Sequence, residues 1–169
     1  MRYDDERFKH KLNYMLEKSK PLIEAKKKVQ MKKRQGKNVS KNEKYCFVRL
    51  ESHVSEKYPE LEVVESDIDT MPGWEIDILV KSPYGWNIAV EWDGAYHRKP
   101  IYGESKLRMR KAQDEYKNKV LHSMKYALIR VVDNGSYNPQ FVETKLNKIF
   151  EIIDDFMEAD VVAFGKIEI

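Results

Sequence analysis

The chain has 169 residues, 41% hydrophobic and 35% charged, with a mean hydropathy of −0.71 and a formal net charge of +3. That composition supports one globular core plus an appendage and excludes a disordered polyelectrolyte. No run approaches the roughly 20 apolar residues of a membrane span, and Met1-Arg2-Tyr3-Asp4-Asp5-Glu6 lacks a signal peptide's apolar stretch, so cytoplasmic residence without membrane partners is expected.

The spacing of Phe8, Leu12, Met15 and Leu16 predicts a helix over residues 4 to about 35, interrupted at Pro21. Its second half carries Lys26, Lys27, Lys28, Lys32, Lys33 and Arg34 with few apolar anchors. It reads as a basic helical arm, residues 1–36, that attracts phosphate non-specifically, or as a solubilising tail. The α/β domain proper is expected over 37–169.

Gly36 breaks the pattern, and Ser40-Lys41-Asn42-Glu43 has the capping-box form that starts a helix. Phe47, Leu50, Val54 and Tyr58 then give an apolar stripe ending at Pro59, and the single cysteine, Cys46, belongs with that core. One cysteine excludes an internal disulfide and a cysteine-clustered zinc site. Leu61 to Glu65 alternates as a short strand, followed by a loop to Gly73. Glu75 to Lys81 and Asn87 to Trp92 are two runs of period two around Ser82-Pro83-Tyr84-Gly85, a hairpin.

After an irregular stretch around Pro100 and Gly103, a helix is predicted from Glu104 to about Ser123, its apolar stripe being Met109, Ala112, Tyr116 and Val120. Arg110, Asp114 and Lys117 share another side of it, spaced for intrahelical ion pairs. Tyr126 to Val132 is a buried strand. A turn-rich loop leads to a last helix, about Gln140 to Met157, with Val142, Leu146, Ile149, Ile153 and Phe156 on one face. Val161 to Ile169 is a candidate final edge strand. The predicted architecture is α/β, order αβββαβα, a mixed central sheet flanked by helices and preceded by the basic arm.

The hairpin carries the chemistry. Alternation puts Asp77 and Leu79 on one face of the first strand and Ala89, Glu91 and Asp93 on one face of the second. Carboxylates in half-buried strands are costly unless something positive binds them, and a divalent metal is the expectation. Asp77 and Glu91 are the ligands that fit best, since two carboxylates from neighbouring strands clamp Mg2+ or Mn2+ and leave positions for water and a phosphate. His97, four residues beyond Asp93 and just after Gly94, is placed to activate water or protonate a leaving group.

The net charge also hides a partition. Residues 1–44 hold 15 Lys and Arg against 6 Asp and Glu, or +9; residues 45–97 hold 3 against 11, or −8; residues 98–119 hold 8 against 3, or +5. An acidic middle between basic flanks fits a metal site between phosphate-binding surfaces, as well as ordinary solvated faces. The candidate phosphate contacts are the arm cations together with Arg98, Lys99, Arg110 and Lys117.

The spacing of Asp77 and Glu91 on adjacent strands, with the strings AVEWDGAYH, QDEYKNKVL and YALIRV, resembles the PD-(D/E)XK nucleases, in particular the very-short-patch repair endonucleases and the EDxHD homing endonucleases. The likeness spans about residues 39–132 and includes the S-x-x-E helix start at Ser40 to Glu43. It implies a restriction-endonuclease-like core and a metal-dependent DNA endonuclease acting on double-stranded or branched DNA, in the manner of a phage or mobile-element nicking or homing enzyme. It further implies Asp77 as metal ligand, Glu91 or Asp93 as further metal-site carboxylates, His97 as a catalytic histidine, and Glu43 and Asp114 as supporting acids. Lys117 or Lys119 and Arg130 match its basic positions. One departure stands out: the motif's lysine, two residues after the acid, is Asp93 here. Either His97 takes over that role, or a lysine such as Lys99 moves in, or the domain binds nucleic acid without cutting. A scaffold whose lysine arm binds an acidic protein is a further alternative.

Overall fold

The computed structural model describes residues 14, 17–21, 23–25, 40–94, 98–133, 135–159 and 165–169. They divide between two compact units. One holds the described residues among 14–25 together with Ile68–Glu75. In it residues 17–21 and 23–25 are helical, so helix is present on both sides of Pro21, where a break was expected. The arm cations Lys26 to Arg34, and His97, lie outside the described residues.

The second unit has the element order α1 (Lys41–Lys57), β1 (Glu62–Asp67), β2 (Ile76–Lys81), β3 (Asn87–Asp93), α2 (Glu104–Ser123), β4 (Tyr126–Val132), α3 (Pro139–Glu158) and β5 (Lys166–Glu168). The five strands form one open mixed sheet in sequence order, with β1, β2 and β3 antiparallel and β3, β4 and β5 parallel. The hairpin β2–β3 follows from its tight turn, while the parallel step from β3 to β4 needs the crossover that α2 supplies. Among the described residues no helix is long and apolar enough to cross a membrane.

Period two gives the sheet two unlike faces. Ile78, Val80, Ile88, Val90, Trp92, Ala127, Ile129 and Val131 point one way and meet Cys46, Leu50 and Val54 of α1 and the Val142-Leu146-Ile149-Ile153-Phe156 stripe of α3. This is the hydrophobic core. Burial pushes the Cys46 thiol up to about 12, with Glu43 and Glu143 adding to it, so Cys46 is an inert core residue. Ser40 caps α1, its hydroxyl accepting from the Asn42 and Glu43 amides at 3.2 and 3.4 Å. Asn138 caps α3 with Pro139 in its first turn.

The opposite face carries Asp77, Leu79, Ala89, Glu91, Asp93, Leu128 and Arg130, and α2 packs on this side. Here the structure corrects the sequence reading. The boundaries of α2 are as predicted, but Met109, Ala112 and Tyr116 are exposed and Val120 is half-buried. The buried face is Leu107, Lys117 and Leu121, with Arg110 and Asp114 half-buried between them. A sheet face bearing charge selects helix residues that neutralise it, so the polar side turns inward and the apolar stripe is left in solvent.

Candidate metal and nucleic-acid site

The registers align a polar row across the sheet. Ile78 opposes Val90 and Leu79 opposes Ala89, so one further step brings Asp77 opposite Glu91. Glu91 is paired in register with Arg130, and Arg130 with Glu168. On the other side the pairs Glu65–Ile78 and Asp67–Ile76 bracket Ser66 opposite Asp77. Ser66 is buried with φ of +52°, a left-handed conformation costing roughly 1–2 kcal/mol for a residue with a Cβ. Backbone strain thus sits directly beside Asp77.

Each carboxylate of the row is held. Asp77 accepts the Trp92 amide N–H at 2.8 Å through Oδ2. Glu91, buried, pairs through Oε2 with the Nζ of Lys117 at 2.6 Å, a lysine that is itself buried. Burial pushes the Glu91 carboxyl up to about 7; Lys117 opposes the rise and the nearby charge of Asp77 adds to it. The second oxygen, Oε1, is buried and makes no hydrogen bond.

Asp93, one pleat further along, is gripped at both oxygens by Nη1 of Arg130, at 2.7 and 2.8 Å. Nη2 of Arg130 donates to Asn118 at 2.9 Å and lies 3.7 Å from Asp114. Burial alone would make this guanidinium easier to deprotonate, but Asp93, Asp114 and Glu91 outweigh it and hold it cationic. Asp114 therefore reaches β4 across the helix–sheet gap. A cleft of about 360 Å³ opens beside the pair, lined by Asp93, Arg98, Lys111, Asp114, Asn118, Arg130 and others.

A third charged centre ties the site to the core. Asp133, at the end of β4, accepts the Trp92 indole N–H at 2.6 Å and the Ser40 hydroxyl at 3.3 Å through Oδ2, and the Asn42 amide and Gly135 N–H at 3.0 and 2.9 Å through Oδ1. Four donors converge on its two oxygens. Trp92 is thus anchored by its indole to Asp133 while its amide holds Asp77, and the same aspartate fixes the start of the helix bearing Glu43. The period-two pattern does not reach Asp133, which lies in a turn-rich loop; neither it nor Asn118 was foreseen.

Of the residues singled out from sequence, Asp77, Glu91, Asp93, Asp114 and Lys117 come together on one face. Glu43 is buried in the first turn of α1. Lys117, expected among the phosphate contacts, is instead the buried partner of Glu91. Arg98 pairs with Glu168 at 3.0 Å, Lys99 is exposed, and Arg110 lies over the Tyr102 ring at 5.8 Å. Among the described residues no three His, Cys, Asp or Glu side chains converge as a metal cluster. Asp77 and Glu91, opposite each other on β2 and β3, with Asp93 one pleat further along, are the carboxylates of this face whose oxygens could hold a hard ion completed by water and phosphate oxygens.

The energetics of Glu91 lead to a pH test. Its folded value near 7 lies above the unfolded value near 4.5, so its contribution is fully present below the lower value and is lost as pH rises through the upper one. In chelator, wild type should lose on the order of 2–3 kcal/mol relative to Glu91→Gln between those pH values. Denaturant melts of both proteins across the window would measure it; parallel pH profiles would refute it. No family model, no curated protein and no solved structure matches the chain.

Proposed function

We propose that this chain is a metal-dependent DNA endonuclease of the PD-(D/E)XK type, with Asp77 and Glu91 holding Mg2+ or Mn2+ and Lys117 standing in for the lysine that Asp93 displaces from the motif. The observation that carries this reading is the lysine of α2 delivered to the buried carboxylate of β3 at 2.6 Å, beside a second carboxylate on β2.

A bound divalent ion there supplies charge neutralisation at the scissile phosphate and a water acidified enough to attack it. The chain's own residues set the geometry. Trp92 fixes Asp77, and Lys117 fixes Glu91 through one oxygen while the other, buried, makes no hydrogen bond. The ammonium of Lys117 is also a donor that can orient an attacking water or take up charge on a non-bridging phosphate oxygen. Arg130 and Asp93 act as a rigid floor beside the site, with Asp114 in support. His97 is the proposed proton donor to the leaving oxygen, Glu43 a supporting acid, and the arm from Lys26 to Arg34 with Arg98, Lys99 and Arg110 the cationic surface for the DNA backbone.

A second reading has its own observation. The Asp93–Arg130 pair closes the position where the motif carries its lysine, which favours a non-catalytic nucleic-acid-binding module. Incubating the full chain with supercoiled plasmid and Mg2+ or Mn2+ decides between them: metal-dependent relaxation or linearisation is expected, and salt-sensitive binding without strand breakage under either metal would replace the enzyme with the binder.

A further inference from the structure

Among the described residues other than glycine, two have a positive φ, Lys125 at +61° and Ser66 at +52°. Lys125 has an ordinary reason for it. It makes the turn from α2 into β4, where helices commonly end on a left-handed residue, and its N–H donates to the His122 carbonyl at 3.0 Å. Ser66 lies within β1, one residue before the strand's end, where the backbone is normally extended. A β-bulge would account for such a kink, since it inserts an extra residue into one strand. The register excludes that. Glu65 opposes Ile78 and Asp67 opposes Ile76, so a single residue of β1, Ser66, stands against a single residue of β2, Asp77.

Glycine would take this conformation without a Cβ clash, yet the chain places a side chain there. Strain kept at a residue other than glycine points to function rather than to folding. Ser66 is 3% exposed, so its side chain belongs to the interior. Val64 opposes Leu79 on the face that carries Asp77 and Glu91, and Ser66 is two residues further along the same strand. Directly opposed residues of an antiparallel pair hold their Cβ atoms roughly 4.5–5.5 Å apart, close enough to share an ion. The charge already present narrows which group is useful there. Burial and the nearby Asp77 both raise the Glu91 carboxyl, so a third carboxylate would oppose the first two. A hydroxyl brings a hard oxygen with no added charge, and serine and threonine hydroxyls serve Mg2+ in this way.

From this we infer that Ser66 is a third oxygen donor of the metal site, its hydroxyl serving the ion held by Asp77 and Glu91. The inference rests on the metal reading of those two carboxylates and not on strand cleavage. The left-handed backbone sets where β1 delivers that oxygen, and some stability is given up for binding.

The test is Mn2+ titration of the full chain by calorimetry without DNA, beside thermal melts of the metal-free protein. Ser66→Gly removes the hydroxyl and the clash together, whereas Ser66→Ala removes the hydroxyl and keeps the clash. Both should weaken Mn2+ binding by roughly 10–100-fold, while Ser66→Gly melts about 2–4 °C above Ser66→Ala. Wild-type Mn2+ affinity in Ser66→Gly overturns the inference, even where Asp77→Ala abolishes binding and the carboxylate site stands. A wild-type protein that binds no Mn2+ overturns it together with the metal site. Weakened binding in both variants of a protein that leaves supercoiled plasmid intact keeps Ser66 in the site and overturns the nuclease reading.

Discussion

Under the proposed nuclease function, Asp77→Ala and Glu91→Ala should each lower metal-dependent nicking by more than about a hundredfold, exceeding the roughly 10–100-fold lost when only an outer partner of a metal ligand is removed. Both carboxylates are held by neighbours rather than by the hydrophobic core, so secondary structure should survive the substitutions. Glu91→Ala removes the partner of Lys117, and its stability is therefore expected to fall further than that of Asp77→Ala. Lys117→Met separates the two roles of that lysine. If Lys117 serves the chemistry, the variant still binds Mn2+ by calorimetry while its turnover falls; wild-type turnover would leave it only a structural counter-charge. Full nicking by Asp77→Ala would sink the site assignment even with the activity established.

The second large effect is on stability. Arg130→Ala removes at once the two bonds to Asp93, the bond to Asn118 and the approach to Asp114, all at a residue only 3% exposed. Breaking a buried ion pair from one side costs on the order of 3–5 kcal/mol, or roughly 10 °C in Tm at this chain length. Asp93→Ala should cost less, because Arg130 keeps Asn118 and Asp114. The double replacement Asp93→Leu with Arg130→Met should recover much of the loss, since an apolar pair of similar volume no longer buries charge. Thermal melts of the three variants test this ordering; Asp93→Ala as damaging as Arg130→Ala would show that the pair is not the organising contact. The comparison also bears on function, because an Asp93 that serves only Arg130 leaves metal binding to Asp77 and Glu91.

Much of this architecture is legible in the residues. The stripe Val142-Leu146-Ile149-Ile153-Phe156 has one apolar face and one possible use for it, and it lies buried as its spacing requires. The hairpin alternation placed Asp77, Glu91 and Asp93 on a shared face, and the registers do the same. Where local pattern failed, it failed for a definite reason. In α2 the apolar stripe and the charged stripe compete for the interior, and periodicity cannot say what surface the helix will meet. The charges of the sheet decide it, Glu91 of β3 drawing Lys117 inward and Arg130 of β4 drawing Asp114, with Met109 and Tyr116 left outside.

The sequence by itself determined the element order, the hydrophobic core and the acidic face of the hairpin, because each depends on spacing within a single helix or strand. Only the tertiary structure decided the partners: Lys117 for Glu91, Arg130 for Asp93, and Asp133 for Trp92, Ser40 and Asn42. Those contacts join residues 26, 37 and from 41 to 93 positions apart in the chain. A buried charge takes whichever opposite charge or donor the packing of distant elements brings within reach, and no local period encodes that choice.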